Sequence, residues 1–385
     1  MMRFEGTDTF MANSNSFDSQ TILAGIRRWV EIETPTEVPE QVNKLTSMVA
    51  DHYRDLPVTL ERVAGVDGCG DHLVVRSTWG QDRPGILVLS HLDTVHPMGF
   101  IERLPFKVEG DSAFGPGIYD MKGGAYIAYH AFRELCSAPE RPPLGVTHMF
   151  TSDEEIGSPT SRALIEAEGR KAGYVLVTEP ARDGGKIVTG RKGVGRFKIY
   201  IKGVPAHAGS RPEDGRSAVR ELANVIQTLE GMNDLKRGVT VNVGVVRGGT
   251  RPNVTPEEAY AEVDLRVPSF NDAEEFVAKI LGLTSKTDGV TVTVTGELNR
   301  PPYEKGNAGA SLYEHAKTIA AEIGFELIDT HTGGGSDGNF TAPYTGTLDG
   351  LGVDGKGAHT HYEQIYVSSL EPRARLLYRL YQTLR

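Results

Sequence analysis

The sequence predicts an α/β protein: a mainly parallel sheet with helices on both faces, interrupted by an inserted β-α-β-β-α-β sandwich. Three observations carry this expectation. The chain has 385 residues, whereas a single hydrophobic core rarely grows past about 250–300. Short apolar runs alternate with stretches of helical periodicity over the first half, as βαβ units require. Near Gly190 strands begin to follow one another directly, and after Arg300-Pro301-Pro302 helical periodicity returns. Domains are therefore expected at 1–190 together with 301–385, and at 191–300.

The elements follow in order. Ile22, Leu23, Ile26, Trp29 and Val30 recur at helical spacing, and Thr34-Pro35 stops that helix. A second helix is expected over about 40–53. Strands follow at 72–79 and 85–90, the second continuous in apolar residues and so buried on both faces. Then come a helix at about 122–135, a strand at 144–151, a helix at about 159–168 and a strand at 174–178. Beyond Gly190 the expected order is strand 194–202, helix 215–229, strands 239–246 and 258–267, helix 272–283 and strand 290–295, a split-βαβ plan. On strand 258–267, Glu262, Asp264 and Arg266 share one face while Val263, Leu265 and Val267 share the other. The last segment reads as helix 311–323, a strand around 325–328 and a terminal helix from Glu371.

Composition narrows the function. Lys and Arg total 41 against 51 Asp and Glu, a formal charge of −10, and no Lys/Arg-rich run occurs. Neither nucleic acid nor an anionic membrane is an expected partner. Cys69 and Cys136 form no CxxC pair, so disulfides are not expected to organise the fold. The opening MMRFEGTDTFMANSNSF is polar, with no apolar core before a small-residue cleavage site. No stretch reaches the ~18–20 apolar residues that a bilayer span needs. The expectation is an acidic, cytoplasmic protein.

In an open parallel sheet, ligands gather at the carboxyl ends of the strands. Strand 85–90 runs into His91-Leu92-Asp93, strand 144–151 into Asp153-Glu154-Glu155, and strand 174–178 into Glu179-Pro180. Between them, GPGIYDMKGG places Asp120 just before a helix, where exposed amides favour a carboxylate. Late in the chain, GAHTHYEQIYV adds His359 and His361. Each piece alone has an ordinary explanation, as an acidic loop, a helix-terminal charge or a surface histidine. Their coincidence at successive strand ends does not, because crowded carboxylates are costly without cations between them. Two imidazoles among carboxylates, with no thiolate, suit divalent zinc, cobalt or manganese.

The strings SHLDTVHP, GPGIYDMKGG, TSDEEIGS, VTEP, GVPAHAGSRPEDGRSA, RGGTRPNVTP, GGGSDG and GAHTHYE occur in this order from about Trp29 to the C-terminus. Together they resemble the dizinc amidohydrolase family that includes glutamate carboxypeptidase (carboxypeptidase G), acetylornithine deacetylase and succinyl-diaminopimelate desuccinylase. The spacer from His91 through FxVEGDxxFGPGxxD is most similar to the carboxypeptidase G branch. The resemblance implies two divalent metals, with zinc first and cobalt or manganese as alternatives. Asp120 would bridge them, His91 and Glu179 completing one site, Glu155 and His359 the other, with His361 as the alternative histidine. Asp93 would orient His91 through its outer nitrogen, and Glu154 would be the general base toward a metal-activated water.

The resemblance also assigns the inserted domain as a ferredoxin-like lid and dimerisation domain, making the chain a homodimer. His207 would reach a partner's active site and stabilise an oxyanion. Asn253 and Arg266 would hold a substrate carboxylate, Arg266 otherwise reading as one end of a surface ion pair. Gly334 and Gly335 would offer backbone donors, and Lys186 and Arg300 lie near positions that bind an acidic side chain in relatives. The implied activity is a carboxypeptidase that releases a C-terminal amino acid, glutamate among the candidates, from peptides or N-acyl amino acids. A deacylase of the acetylornithine type is the alternative. Two remoter readings are a serine hydrolase built on Ser336 in Gly334-Gly335-Ser336-Asp337-Gly338, and a binding protein that kept the scaffold without the chemistry.

Overall fold

The computed structural model describes residues 16–385, so most of the polar opening discussed above lies outside the described residues. The described residues divide into two compact units, the first up to 188 with 307–330 and 345–385, and the second 189–306 with 331–344.

The first unit is built on a six-stranded sheet in the order Val58–Val63, His72–Ser77, Val146–Thr151, Ile86–His91, Tyr174–Val177 and Gly346–Leu348. The four strands from Val146–Thr151 onward are parallel, and the two at the other edge are antiparallel. Every residue of Ile86–His91 is buried, as its unbroken apolar run requires of a strand covered on both faces. Val58–Val63 is mostly exposed and alternates little, which is why sequence periodicity passed over it. Helix Ser19–Val30 starts on Asp18, whose carboxylate accepts the Thr21 amide at 2.8 Å. It buries Ile22, Leu23, Ile26, Trp29 and Val30, a stripe one face wide. Helix Gly123–Ser137 is buried almost all round, and Gly124 is needed there: a Cβ would fall 2.0 Å from the Thr178 carbonyl. A separate antiparallel sheet, ordered Gly355–Lys356, Gln364–Tyr366, Ser112–Phe114 and Lys107–Glu109, was not legible in the sequence, its strands being two or three residues long.

The second unit carries an antiparallel sheet in the order Thr240–Gly248, Glu258–Val267, Gly193–Lys202 and Thr291–Arg300, with helices Ala218–Glu230 and Phe270–Leu281. The order is that of a split-βαβ sandwich. Strict alternation on Glu258–Val267 buries Val263, Leu265 and Val267 against Leu222, Val225, Phe276 and Ile280.

Two sequence expectations change. The apolar run at 325–328 is not a strand: the Gly324 and Phe325 amides both donate to the Ala320 carbonyl at 3.0 Å, so the segment finishes the preceding helix and buries Leu327. The strand forms just beyond, at Asp329–Thr332. The segment 331–344 groups with the second unit rather than with the rest of 301–385. Its bonds explain this: Lys192 N donates to Thr332 O at 3.1 Å, Asn339 Nδ2 to Pro301 O at 2.8 Å, and Arg300 pairs with Asp337 at 3.0 Å.

Candidate metal centre

Three neighbouring parallel strands deliver the centre. Ile86–His91 ends in His91, Tyr174–Val177 leads through Thr178 to Glu179, and Val146–Thr151 leads into the acidic turn Glu154–Ile156. Directly beneath, Ser90 Oγ lies 2.6 Å from Thr178 Oγ1 and 2.9 Å from His148 Nε2, whose Nδ1 lies 2.8 Å from Tyr53 Oη. Burial alone pushes His148 down to about 3, so it serves as a neutral link in this chain.

Two groups of side chains have ligand atoms within 4.8 Å of one another: His91 with Asp120 and Glu179, and Asp120 with Glu155 and His359. His91 Nε2 is 3.2 Å from Asp120 Oδ1 and 3.6 Å from Glu179 Oε1. His359 Nε2 is 3.3 Å from both Asp120 Oδ2 and Glu155 Oε2. Asp120 thus turns one oxygen to each group. His91 Nδ1 donates to the Asp93 main-chain carbonyl at 2.9 Å, which leaves the Nε2 lone pair for the cluster. The sequence expectation gave that task to the Asp93 carboxylate, whose nearest oxygen is 3.6 Å away. His361 takes no part in either group; its ring packs edge-on against Tyr362.

The electrostatics fit divalent cations. Burial would raise Asp120, but the hydrogen bonds and charges of His359 and His91 hold its carboxyl well below the usual range. The bonds to Asp120 and Glu155 push His359 up to about 11. Burial disfavours charge on His91, yet Asp120, Glu154, Asp93 and Glu179 together raise it. Burial pushes Glu155 up to about 8, and its Oε1 is buried without a hydrogen-bond partner. A cation would satisfy that oxygen and displace the shared protons, and the mixed N/O donor set suits zinc, cobalt or manganese.

The three consecutive acids divide their work. Asp153 is buried and holds the next loop, accepting from Thr160 N and Oγ1 at 2.7 Å and from Ser161 Oγ at 2.6 Å. Glu155 enters the cluster, and Glu154 beside it is half-buried. Asp93, which burial pushes up to about 7, accepts the Glu154 and Glu155 amides and the Thr36 hydroxyl. A shallow cavity of about 580 Å³ opens at His359, walled by Val95, His96, Phe100 and Tyr362. Sequence reasoning passed over His96 and Glu363, both buried and hydrogen-bonded to each other.

The other expected site residues lie on the second unit. Exposed His207 accepts the Gly209 and Ser210 amides on Nδ1, each at 3.2 Å, so its proton sits on Nε2 as a donor. Asn253 is adjacent, its carbonyl accepting from Ala208 N at 3.1 Å. Arg266 already makes a bidentate pair with Asp264, at 2.7 and 2.9 Å, and its NH1 donates to Gly333 O. Gly334 and Gly335 turn their carbonyls to Arg191. Arg300, buried and paired with Asp337 across the Phe340 ring, is not free to read an acidic substrate. Ser336 is likewise withdrawn from nucleophilic chemistry: it is fully buried and its Oγ accepts the Gly338 amide as a helix cap.

Comparison with known proteins identifies the family. The model of peptidase family M20/M25/M40 matches residues 87–383. Carboxypeptidase G2 of Pseudomonas sp. (strain RS-16) is 30% identical over 98% of this chain and 91% of its own length. Succinyl-diaminopimelate desuccinylase of Delftia acidovorans is 25% identical over 92% of this chain and 96% of its own. Among solved structures, aminopeptidase PepT from Bacillus cereus superposes with a TM-score of 0.76 at 23% identity, covering 96% of this chain and 99% of that one. An M20 family metallo-carboxypeptidase from Sulfolobus solfataricus gives 0.74 at 17%, covering 94% and 99%. These two share the fold. No described helix is long and apolar enough to cross a membrane. The chain belongs to peptidase family M20/M25/M40 and is a metal-dependent hydrolase of that family.

Proposed function

We propose that the protein is a carboxypeptidase that hydrolyses the amide joining an acyl or peptidyl group to a C-terminal amino acid. The observation that carries this reading is the arrangement of Asp120, one carboxylate oxygen facing His91 and Glu179 and the other facing Glu155 and His359. In this reading His91, Asp120 and Glu179 hold one divalent ion, and Asp120, Glu155 and His359 hold a second. Bound there, such ions polarise a carbonyl and lower the pKa of water. Glu154 takes the proton of the attacking water and returns it to the leaving nitrogen, a general base made accessible by its half-buried place beside Glu155. Asp93 fixes the turn that presents both glutamates.

On the second unit, His207 would reach the active site of a partner subunit, its Nε2 donating to the developing oxyanion, and Asn253, Arg266 and the Gly334–Gly335 backbone would bind the substrate carboxylate. This part rests on the family resemblance. Arg266 must exchange Asp264 for the substrate, since both carboxylates would use the same fork. The dimer forms through the edge strand Thr240–Gly248, where Val245 and Val246 are exposed.

Similarity to a desuccinylase favours a second reading, deacylation of N-acyl amino acids. Elemental analysis followed by a hydrolysis screen separates the outcomes. Release of the terminal residue from dipeptides or pteroylglutamate supports the carboxypeptidase, turnover of short N-acyl amino acids alone supports the deacylase, and active protein without bound metal overturns both.

A further inference from the structure

Glu363 lies outside both groups of candidate ligands, yet its carboxylate is fully buried and fully engaged. Oε1 accepts the Tyr119 and Asp120 amides and Oε2 the Gly117 amide, each at 2.9 Å. His96 Nε2 donates to Oε2 at 2.7 Å. A carboxylate offers about four acceptor positions, so none remains for a cation. Gly117 adopts a left-handed φ of 68°, which turns the amides of this loop inward as a nest for an anion. The anion is the protein's own side chain. His96 is held in turn by stacking on Phe100, with ring centroids 4.4 Å apart.

Two candidate-ligand segments meet at this residue. Glu363 follows the His359 loop and leads into Gln364–Tyr366, and that strand pairs with Ser112–Phe114, which leads into the Asp120 loop. The Glu363 carbonyl also accepts the Gly115 amide at 3.4 Å.

We propose that Glu363 is the positioning residue of the metal centre. By fixing three amides of the loop, including that of Asp120 itself, it sets the direction from which Asp120 Oδ1 and Oδ2 meet their separate partners. Because it belongs to the His359 segment, it brings the bridging carboxylate and the late histidine into place together. His96 is the outer support, donating the fourth bond and keeping the carboxylate from rotating. A glutamine at 363 preserves volume but sets an NH2 group against donors that all need an acceptor. The proposal rests on the metal-centre reading above.

The test is cobalt(II) titration of metal-stripped wild type, Glu363→Gln, His96→Phe and His96→Gln. Visible ligand-field absorption is followed, and bound metal is counted after dialysis. Losing a group that orients metal ligands typically costs 10–100-fold in affinity. Wild type is expected to take up two ions, and Glu363→Gln to bind about 10–100-fold more weakly with a shifted ligand-field band. His96→Phe is expected to weaken binding in the same sense, and His96→Gln, which keeps an N–H donor, to recover most of it. Wild-type affinity and spectrum in Glu363→Gln overturn the proposal. If that variant does not fold, the His96 pair decides, and equal behaviour of the Phe and Gln variants overturns it. No uptake by wild type overturns the metal-centre reading and the proposal with it, whereas wild-type uptake with unchanged variants overturns the proposal alone.

Discussion

Asp93 Oδ1 accepts the main-chain amide of Glu154 at 3.2 Å, so the turn that carries Glu154 is held through its backbone. The companion oxygen holds the next amide, Glu155, and the Thr36 hydroxyl. A buried carboxylate that orders two consecutive amides sets a turn whatever those residues carry. A Glu154→Gln change leaves both of these backbone bonds in place.

From this, Glu154→Gln should retain bound metal and melting temperature while losing about 10²–10⁴-fold in kcat, the usual worth of a general base. Steady-state kinetics on protein of measured metal content checks it. Near-wild-type turnover in the metal-loaded variant would remove Glu154 from the role.

Gly124→Ala tests the seam between helix Gly123–Ser137 and the strand end that carries Glu179. The new Cβ would meet the Thr178 carbonyl at 2.0 Å, and a backbone atom cannot step aside as a flexible side chain can. Destabilisation of about 1–3 kcal/mol is expected in denaturant unfolding, together with weaker metal binding, because Thr178 precedes Glu179. An unperturbed midpoint would mean that the helix shifts freely.

His148 makes a pH prediction. Its folded value, about 3, lies below the ordinary 6.5, so the unfolded chain binds a proton that the folded chain refuses. The stability this contributes is complete above pH 6.5 and is lost progressively as pH falls toward 3. In His148→Gln the overall stability should drop, since the links to Tyr53 and Ser90 are disturbed. The fall in stability between pH 6.5 and 4 should become shallower, measured by urea unfolding across that range. An unchanged slope would reject His148 as its source.

Val246→Lys tests the proposed dimer. Val246 is 52% exposed on the edge strand Thr240–Gly248, and an edge lysine disfavours strand addition. Sedimentation velocity should show wild type as a dimer and the variant shifted to monomer, with unchanged circular dichroism. A variant that stays dimeric places the interface elsewhere.

Much of both units is legible in the linear chain. Ile86–His91 announces itself by an unbroken apolar run, helix Ser19–Val30 by its stripe, and Glu258–Val267 by strict alternation, because burial on one or two faces writes a period into the residues. The strand-end rule points to His91, the acids 153–155 and Glu179, Asp120 stands just before a helix, and family likeness singles out Glu155 and selects His359 over His361. Tertiary structure alone decided the rest. Periodicity does not register strands two or three residues long, so the small sheet pairing Ser112–Phe114 with Gln364–Tyr366 was invisible, and with it the engagement of Glu363 by amides more than two hundred positions earlier. Spacing puts Asp264 and Arg266 on one strand face, but it could not reveal that Arg300 pairs with Asp337 far along the chain. Patterns report which face of an element meets the core. Hydrogen-bond partners are chosen by atoms a few ångströms apart, a scale on which order along the chain carries no information.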